Sequence, residues 1–344
     1  MNEALPAVER AAAAPSRPDA AALPEIPLVD VGAAGPVALL AAERARAEAL
    51  LAAGQRDYGA PLFGWGARLS RRWLARTGNP YAGEIAALAE ASGHPGVYLL
   101  NLSYEWFCTS AVAPDPAAAG SRMLRTLDWP LHGLGRHTVV ARQQGAAGPY
   151  LNVTWPGFVG VATAMAPGRF SAALNQAPMR RDGHSLVFDW LSNRWRVWQS
   201  SGLPPVHLLR RVFDECRGYA EARARLIETP LCLPAFFVLS GAEAGEGCVI
   251  ERLEDRAMVH EAPACVANHW LTPGLTGDAR GVESSERMAQ METLYRSVAD
   301  GFSWVVPPIL NACTRLAVVA NAAQGTLDVQ GWEEDDPATA VFRL

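Results

Sequence analysis

Phe107-Cys108-Thr109-Ser110 is followed, one hairpin's length of chain later, by Arg125-Thr126-Leu127-Asp128-Trp129. The first run is strand-like and carries a thiol. A thiol attacks carbonyls only as its thiolate, so a catalytic cysteine needs a group that lowers its pKa or accepts its proton. The seven histidines are scattered and none is indicated as that partner. A backbone α-amine, with an ordinary pKa of about 7.7–8.0, is well matched to the task near neutrality. Cleavage between Phe107 and Cys108 would place such an amine on the residue that bears the thiol. Arg125 would then favour the thiolate and Asp128 would hold the protonated amine. Three residues apart on a strand, the two side chains face opposite ways. Both reach one site only if the strand ends or bulges near Leu127-Asp128.

Outward from this stretch the texture of the chain changes on either side. Residues 1–25 are rich in Ala and Pro and read as a flexible tail. Helices are expected over Pro36–Gln55, near Gly66–Arg76 and near Gly83–Ala91, followed by a strand-like run Val97–Leu102. From Cys108 onward, short β-rich runs recur at Cys108–Ala113, Met123–Leu127, His137–Gln143, Tyr150–Trp155, Val159–Ala164 and Ser171–Leu174. Gly and Pro punctuate them, as in an antiparallel sheet. A helix is expected over 203–227, strands at Ala235–Ser240, Gly247–Leu253 and Arg256–His260, a helix near Ser284–Ala299 and a strand at Thr314–Val319. Sheet, helices, sheet and helix in that order indicate a layered α+β fold.

Composition narrows the chemistry. With 344 residues, 50% of them hydrophobic and 19% charged, the chain can build a sizeable core. A net charge of −5 gives no electrostatic reason to expect nucleic acid as a partner. All 30 basic residues are arginine. A phosphate-binding P-loop, a pyridoxal Schiff base and protein-kinase chemistry each require a lysine, so all three are excluded. The six cysteines lack zinc-ligand spacing, and five of them read as buried small hydrophobes in a reducing compartment. No run approaches the ~18 apolar residues of a membrane span, and the start of the chain does not read as a secretory signal. The default expectation is a cytoplasmic protein that uses no metal or organic cofactor.

Three runs carry a resemblance: Asn79-Pro80-Tyr81-Ala82-Gly83-Glu84-Ile85, Tyr98-Leu99-Leu100-Asn101-Leu102-Ser103-Tyr104-Glu105, and Phe107-Cys108-Thr109-Ser110. Together they resemble the acid ceramidase and N-acylethanolamine acid amidase family, N-terminal-nucleophile amidases related to the choloylglycine hydrolases. The resemblance implies a four-layered αββα fold and a precursor that cleaves itself before the cysteine. It implies Cys108 as nucleophile, Arg125 as the thiolate-stabilising arginine and Asp128 as the partner of the α-amine. It further implies Asn268 and Asn175 as oxyanion donors and Arg287 as an arginine near the site. Where the amidase branch carries an acidic residue, this chain has Gln176, which does not titrate.

The aromatic residues Trp106, Trp129, Trp155, Phe158 and Trp270 fall close to these positions, either as core or as an apolar acyl pocket. The pocket reading assigns Trp129, Trp155, Phe158 and Trp270 to substrate binding. His269 reads as a structural or substrate-edge residue rather than a base. The resemblance implies an N-terminal helix able to dock on lipid. The Ala-rich Pro36–Gln55 run instead favours an intramolecular helix with at most transient lipid-surface contact.

The organisation expected is therefore a tail at 1–25, a helical segment at 26–107 that stays associated after cleavage, and a catalytic domain at 108–344. The reaction expected is hydrolysis of a linear amide with an apolar acyl chain. Transfer of the acyl group to an amine is the alternative within the fold. An unprocessed, non-catalytic lipid-binding protein is the alternative outside enzymology.

Overall fold

Two sheets packed face to face carry the chain's apolar alternation in the computed structural model, which describes residues 23–102, 106–181, 183, 185–296 and 301–344. The tail expected over 1–25 lies outside the described residues up to residue 22, as do Ser103-Tyr104-Glu105. In chain order the elements begin with strand β1 (Leu28–Gly32) and helices α1 (Gly35–Ala42), α2 (Arg44–Tyr58), α3 (Ala60–Thr77), α4 (Ala82–Ser92) and α5 (Gly96–Leu100). Strands β2 (Phe107–Pro114), β3 (Ser121–Asp128), β4 (Val139–Gly145), β5 (Gly148–Thr154), β6 (Thr163–Ala166) and β7 (Phe170–Gln176) follow. Next come α6 (Leu186–Gln199), α7 (Pro205–Glu215), α8 (Tyr219–Glu228), β8 (Ala235–Gly241), β9 (Gly247–Arg252), β10 (Ala257–Glu261) and β11 (Ala264–Val266). The chain closes with α9 (Ser284–Leu294), β12 (Thr314–Asn321), β13 (Thr326–Glu333) and the short β14 (Asp336–Pro337) and β15 (Phe342–Arg343).

The larger sheet runs β1-β4-β5-β6-β7-β8-β9-β10, and the second runs β11-β2-β3-β12-β13-β14. Strands β2 and β3 of the second sheet lie against β7 and β8 of the first. Cys108, Val112, Met123 and Leu127 meet Ala164, Ala172, Leu174 and Val238 in that interior. Helices α7 and α8 cover the outer face of the larger sheet, and α9 covers β2 and β11. The result is the expected α+β architecture of four layers, αββα. Strand β2 is buried on both faces, which is why it reads as a run of small and apolar residues rather than as an alternation.

Several local expectations need correction. Val97–Leu102 is not a strand: Gly96–Leu100 forms α5. The run's polar anchor, Asn101, donates from Nδ2 to Val97 O (2.9 Å) and Gly157 O (2.8 Å), so its environment is a turn rather than a ladder. Strand pairing in Val159–Ala164 begins only at Thr163, because the preceding backbone is satisfied elsewhere. Val159 N–H donates to Asn101 Oδ1 (2.7 Å) and Val161 N–H to Val206 O (3.0 Å). The single helix expected over 203–227 is two helices parted at Cys216-Arg217-Gly218, and that over Pro36–Gln55 divides at Glu43. Helix α6 has no counterpart among the expectations. Its N-cap Ser185 accepts a hydrogen bond from Phe188 N–H, but Val187, Phe188, Leu191 and Trp195 are exposed, so no buried stripe marks it in sequence. The segment before Cys108 is not wholly helical either, because β1 pairs in parallel with β4 and completes the larger sheet. Cys108, Cys216, Cys232, Cys248 and Cys265 are buried and Cys313 is partly exposed.

Candidate active site

Cys108 is the second residue of β2 and lies opposite Leu127, with Ser110 opposite Arg125 and Phe107 opposite Asp128. Arg125 therefore projects into the space between the sheets beside the thiol. Its Nη2 is 3.1 Å from Cys108 Sγ and also donates to Leu174 O (3.0 Å). Its Nη1 donates to Ala162 O and to Thr163 Oγ1. The guanidinium is fully buried and fixed by β6 and β7, so its charge acts on the sulfur with little screening by water. Burial pushes the Cys108 thiol upward, Arg125 opposes that shift by charge and hydrogen bond, and Asp128 adds to it. In the uncut chain the thiol proton is directed to Leu174 O at 3.7 Å.

Asp128 is the last residue of β3 and stays on the opposite face from Arg125. Between β3 and β12 the register shifts at Thr314/Leu316, opposite Asp128 and Leu127. The Asp128 carboxylate, on the far side of β3 from the sulfur, accepts from Asn311 Nδ2 (3.0 Å) and Thr314 Oγ1 (3.0 Å). Arg287 Nη1 stands 3.7 Å from it. Burial raises the Asp128 pKa, while Arg287, Asn311, Thr314 and Arg125 pull it back.

Arg287 joins the two halves of the site. From α9, Nη1 donates to Cys108 O (2.8 Å) and Thr109 Oγ1 (2.8 Å), and Nη2 donates to Asn268 Oδ1 (3.0 Å). Far from occupying a solvated helix face, it is completely buried. The same Asn268 Oδ1 accepts the backbone N–H of Cys108 at 2.8 Å, and Asn268 Nδ2 donates to Gln176 O at 2.8 Å. Two donors on one end and a carbonyl on the other fix the orientation of this amide. Asn268 Oδ1 thus meets the nitrogen that cleavage would free, and one Nδ2 hydrogen is left over.

Asn175 is differently placed. It accepts from Ser110 Oγ (2.7 Å) and donates from Nδ2 to Val266 O (3.2 Å) and Ala267 O (3.3 Å). Its amide hydrogens brace the end of β11 and the approach to Asn268. Of the residues singled out in sequence, the structure brings Cys108, Arg125, Asp128, Asn268 and Arg287 together. Asn175 joins them through Ser110.

The aromatic residues do not line a cleft. Trp129, Trp155 and Phe158 are buried with Trp106 in a ring-on-ring cluster, the neighbouring centroids 5.4–6.4 Å apart. Trp270 is half-buried against Phe236, with centroids 5.2 Å apart. None of the four lines either of two adjoining cavities beside the site. The first, of about 260 Å³, is lined by Phe107, Ala177, Pro178, Leu233, Pro234 and Arg280 among others. The second, of about 300 Å³ and largely apolar, lies between α3, α5 and α6 and includes Trp65, Leu69, Trp73, Leu99 and Trp198. Trp190, Arg194, Val197, Cys232 and Leu233 border both. The missed lining comes from α3 and from α6, the helix absent from the sequence reading.

Sequence reasoning also missed the residues that hold the site residues in place. Ser284 Oγ accepts from Asn268 N–H (2.8 Å) and lies 2.9 Å from His269 Nδ1. This gives His269 a structural place, and burial lowers its pKa. Asn311 and Thr314 hold Asp128. The Asn-x-x-Thr spacing before a strand is a turn signal in its own right and could have marked them. Among the described residues no cluster of side chains suits a metal ion.

No family model matches the chain. It is 27% identical over 199 residues to an acid ceramidase of Heterocephalus glaber, covering 52% of this chain and 49% of that protein. Against the acid ceramidase of Bos taurus it is 25% identical over 293 residues, covering 75% and 71%. The chain spans about half the length of the first of these relatives. Among solved structures it is similar to a Caenorhabditis elegans N-acylethanolamine-hydrolyzing acid amidase ortholog, with 19% identity and a TM-score of 0.49 over 69% of this chain and 100% of that one. A penicillin V acylase from Agrobacterium tumefaciens gives 14% identity and a TM-score of 0.41, over 65% and 83%. The resemblance to the acid ceramidases is thus found along half to three quarters of the chain.

Proposed function

We propose that this chain is a cysteine N-terminal-nucleophile amidase, which cuts its own Phe107–Cys108 bond and then hydrolyses a linear amide bearing an apolar acyl chain. The observation that carries the reading is the shell around Cys108. A buried guanidinium lies 3.1 Å from the sulfur, and an amide oxygen lies 2.8 Å from the backbone nitrogen. Neither a histidine nor another base touches the thiol among the described residues. The missing base is the amine that cleavage creates.

The geometry supports the following steps. Cleavage leaves Cys108 with a free α-amine, whose ordinary pKa of about 7.7–8.0 suits proton exchange near neutrality. The amine takes the thiol proton as sulfur attacks the substrate's carbonyl carbon. Arg125 stabilises the thiolate, and Asn268 Oδ1 and the Asp128 carboxylate favour the resulting ammonium. The negative oxygen of the tetrahedral intermediate calls for a donor. The spare Nδ2 hydrogen of Asn268 supplies it, a contribution of roughly 3 kcal/mol by comparison with other oxyanion donors. The C–N bond then breaks, and the leaving amine takes the proton back from the Cys108 ammonium. Water, activated by the same α-amine, hydrolyses the thioester and releases the carboxylic acid. The two adjoining cavities, together of a size and apolarity suited to a hydrocarbon chain, would take the acyl group.

Intact mass of the purified chain, with Cys108→Ala as control, tests the first half of the proposal. Wild type is expected as fragments 1–107 and 108–344, and the variant as one chain. Release of free acid from N-acyl amides of graded chain length tests the second half. A full-length wild-type chain that hydrolyses none of them would instead support the non-catalytic reading.

A further inference from the structure

Gly281 lies in the loop before α9 with φ +75°, a backbone region that other residues rarely adopt. A Cβ there would stand 2.6 Å from both Cβ and Cγ of Phe107 and 3.1 Å from Arg287 Nη2. The side chain that precedes the scissile bond is therefore pressed onto bare glycine backbone. The loop has little freedom to withdraw. Arg280 N–H donates to Asn268 O (3.2 Å) and Arg280 Nε to Ala177 O (3.0 Å). The carbonyls of Arg280 and Val282 accept from Nη2 (3.3 Å) and Nε (2.7 Å) of Arg287. Arg287 in turn holds the carbonyl of Cys108. Phe107 and Arg280 both line the 260 Å³ cavity, so the contact opens into that space.

We propose that Gly281 is a specificity-determining residue: its bare backbone seats the side chain before the cleaved bond and, after cleavage, the first carbons of the substrate's acyl chain. The proposal rests on the self-cleaving amidase reading. In self-cleavage, Cys108 Sγ adds to the carbonyl carbon of Phe107, the S–C bond forms and the Phe107–Cys108 C–N bond breaks. The thiol proton passes to the departing nitrogen, which becomes the α-amine. Phe107 is at that point the acyl group of a thioester on Cys108, and water hydrolyses it to a carboxylate and the free thiol. Turnover builds the same thioester on the same sulfur. The carbon attached to the substrate's carbonyl occupies the position that Phe107 Cα held, and the atoms beyond it point toward Gly281.

The test compares wild type, Gly281→Ala, Phe107→Gly and the double variant. Cleavage is followed by intact mass, and turnover by acid release from a straight-chain N-acyl amide. Gly281→Ala is expected to slow cleavage about ten- to hundredfold, the rate equivalent of overpacking. Phe107→Gly, which removes the atoms that the new methyl meets, is expected to restore cleavage in the double variant. Turnover by the cleaved double variant stays low, because the substrate still needs the seat. Wild-type cleavage in Gly281→Ala, or no rescue by Phe107→Gly, overturns the seat. Recovery of turnover alongside cleavage overturns its sharing with substrate. If the wild type is not cleaved, the amidase reading fails separately. Thermal midpoints of the four proteins then decide the contact, which requires that Phe107→Gly offset the loss caused by Gly281→Ala.

Discussion

The backbone nitrogen of Cys108 and Oδ1 of Asn268 are 2.8 Å apart, an N–H donating to an amide oxygen that also accepts from Arg287. This pairing separates the two asparagines that sequence alone treats as equals. Asn268 touches Cys108 and has an Nδ2 hydrogen to give. Asn175 gives its amide hydrogens to the carbonyls of Val266 and Ala267. Asn268→Ala is expected to lower kcat by roughly 10²–10³, the usual effect of removing an oxyanion donor. Asn175→Ala is expected to lower the thermal midpoint more than it lowers kcat, because it leaves two buried carbonyls and the Ser110 hydroxyl without their partner. Steady-state kinetics beside thermal unfolding reads both, and the reverse order of effects would reject the assignment.

The thiol's environment sets the second expectation. Burial alone would hold Cys108 as an inert thiol, and Arg125 is the first group opposing that shift. Arg125→Met removes the charge while filling similar space. Alkylation of Cys108 in the processed protein at pH 7.5 should slow by about tenfold or more, with its pH profile displaced upward. Arg125→Lys, which keeps the charge but loses the forked contacts to Ala162 and Leu174, should fall between. An unmoved alkylation profile in Arg125→Met would show that the guanidinium does not act on the sulfur.

Asp128 gives a pH prediction with a definite sign. Its pKa is raised by burial, and the Thr314 hydroxyl is one of the groups that pull it down. Thr314→Val should therefore raise it further and move the acid limb of kcat/KM to higher pH, and Thr314→Ser should restore it. A group with a raised folded-state pKa contributes stability below its ordinary range and loses it as pH rises through the folded value. The thermal midpoint of Thr314→Val relative to wild type is thus expected to fall as pH rises above the ordinary carboxylate range. A difference that grows more favourable with pH would mean the hydroxyl does not serve the carboxylate.

The strands that build the site were legible because Cys108–Ala113 and Met123–Leu127 are β-rich runs punctuated by Pro and Gly. The resemblance around Cys108 supplied the partners, Arg287 included. The sequence could not show that Asn311 and Thr314, far along the chain, hold the Asp128 carboxylate, nor that Arg287 of α9 comes within 3.7 Å of it. Nor did it show the cavity lining. Trp129, Trp155 and Phe158 have the composition of a pocket, but in the fold their rings fill one another's space. Part of the apolar lining of the cavities, Trp190, Leu191, Val197 and Trp198, sits on α6, where Val187, Phe188, Leu191 and Trp195 are exposed, a pattern that periodicity reads as no helix at all. Val97–Leu102 shows the remaining ambiguity: a short apolar run suits a strand or a buried helical turn equally, and Asn101 decided between them.

The joint between the segment before Cys108 and the rest of the chain carries the last expectation. Asn79, in the run that marks the family resemblance, donates from Nδ2 to Nδ1 of the fully buried His207 at 2.9 Å. Tyr81 OH reaches Asp214 (3.4 Å), and Glu84 pairs with Arg210, whose guanidinium stacks over the Tyr81 ring at 4.4 Å. Burial first, and then repulsion from Arg210, lowers the His207 pKa to about 3. A base held neutral in this way gives stability that is present above its ordinary pKa of about 6.5 and is lost as pH falls toward 3. The loss amounts to something on the order of 3 kcal/mol at pH 4. Wild type should therefore lose stability between pH 6.5 and 4 more steeply than His207→Gln, which cannot take up the proton. After cleavage, acid should also loosen fragment 1–107 from fragment 108–344. Equal slopes for the two proteins in urea unfolding across that range would exclude His207 as the acid-sensitive element. Parallel size-exclusion runs at pH 7 and pH 4 would show whether the joint, rather than the sandwich core, is what gives way.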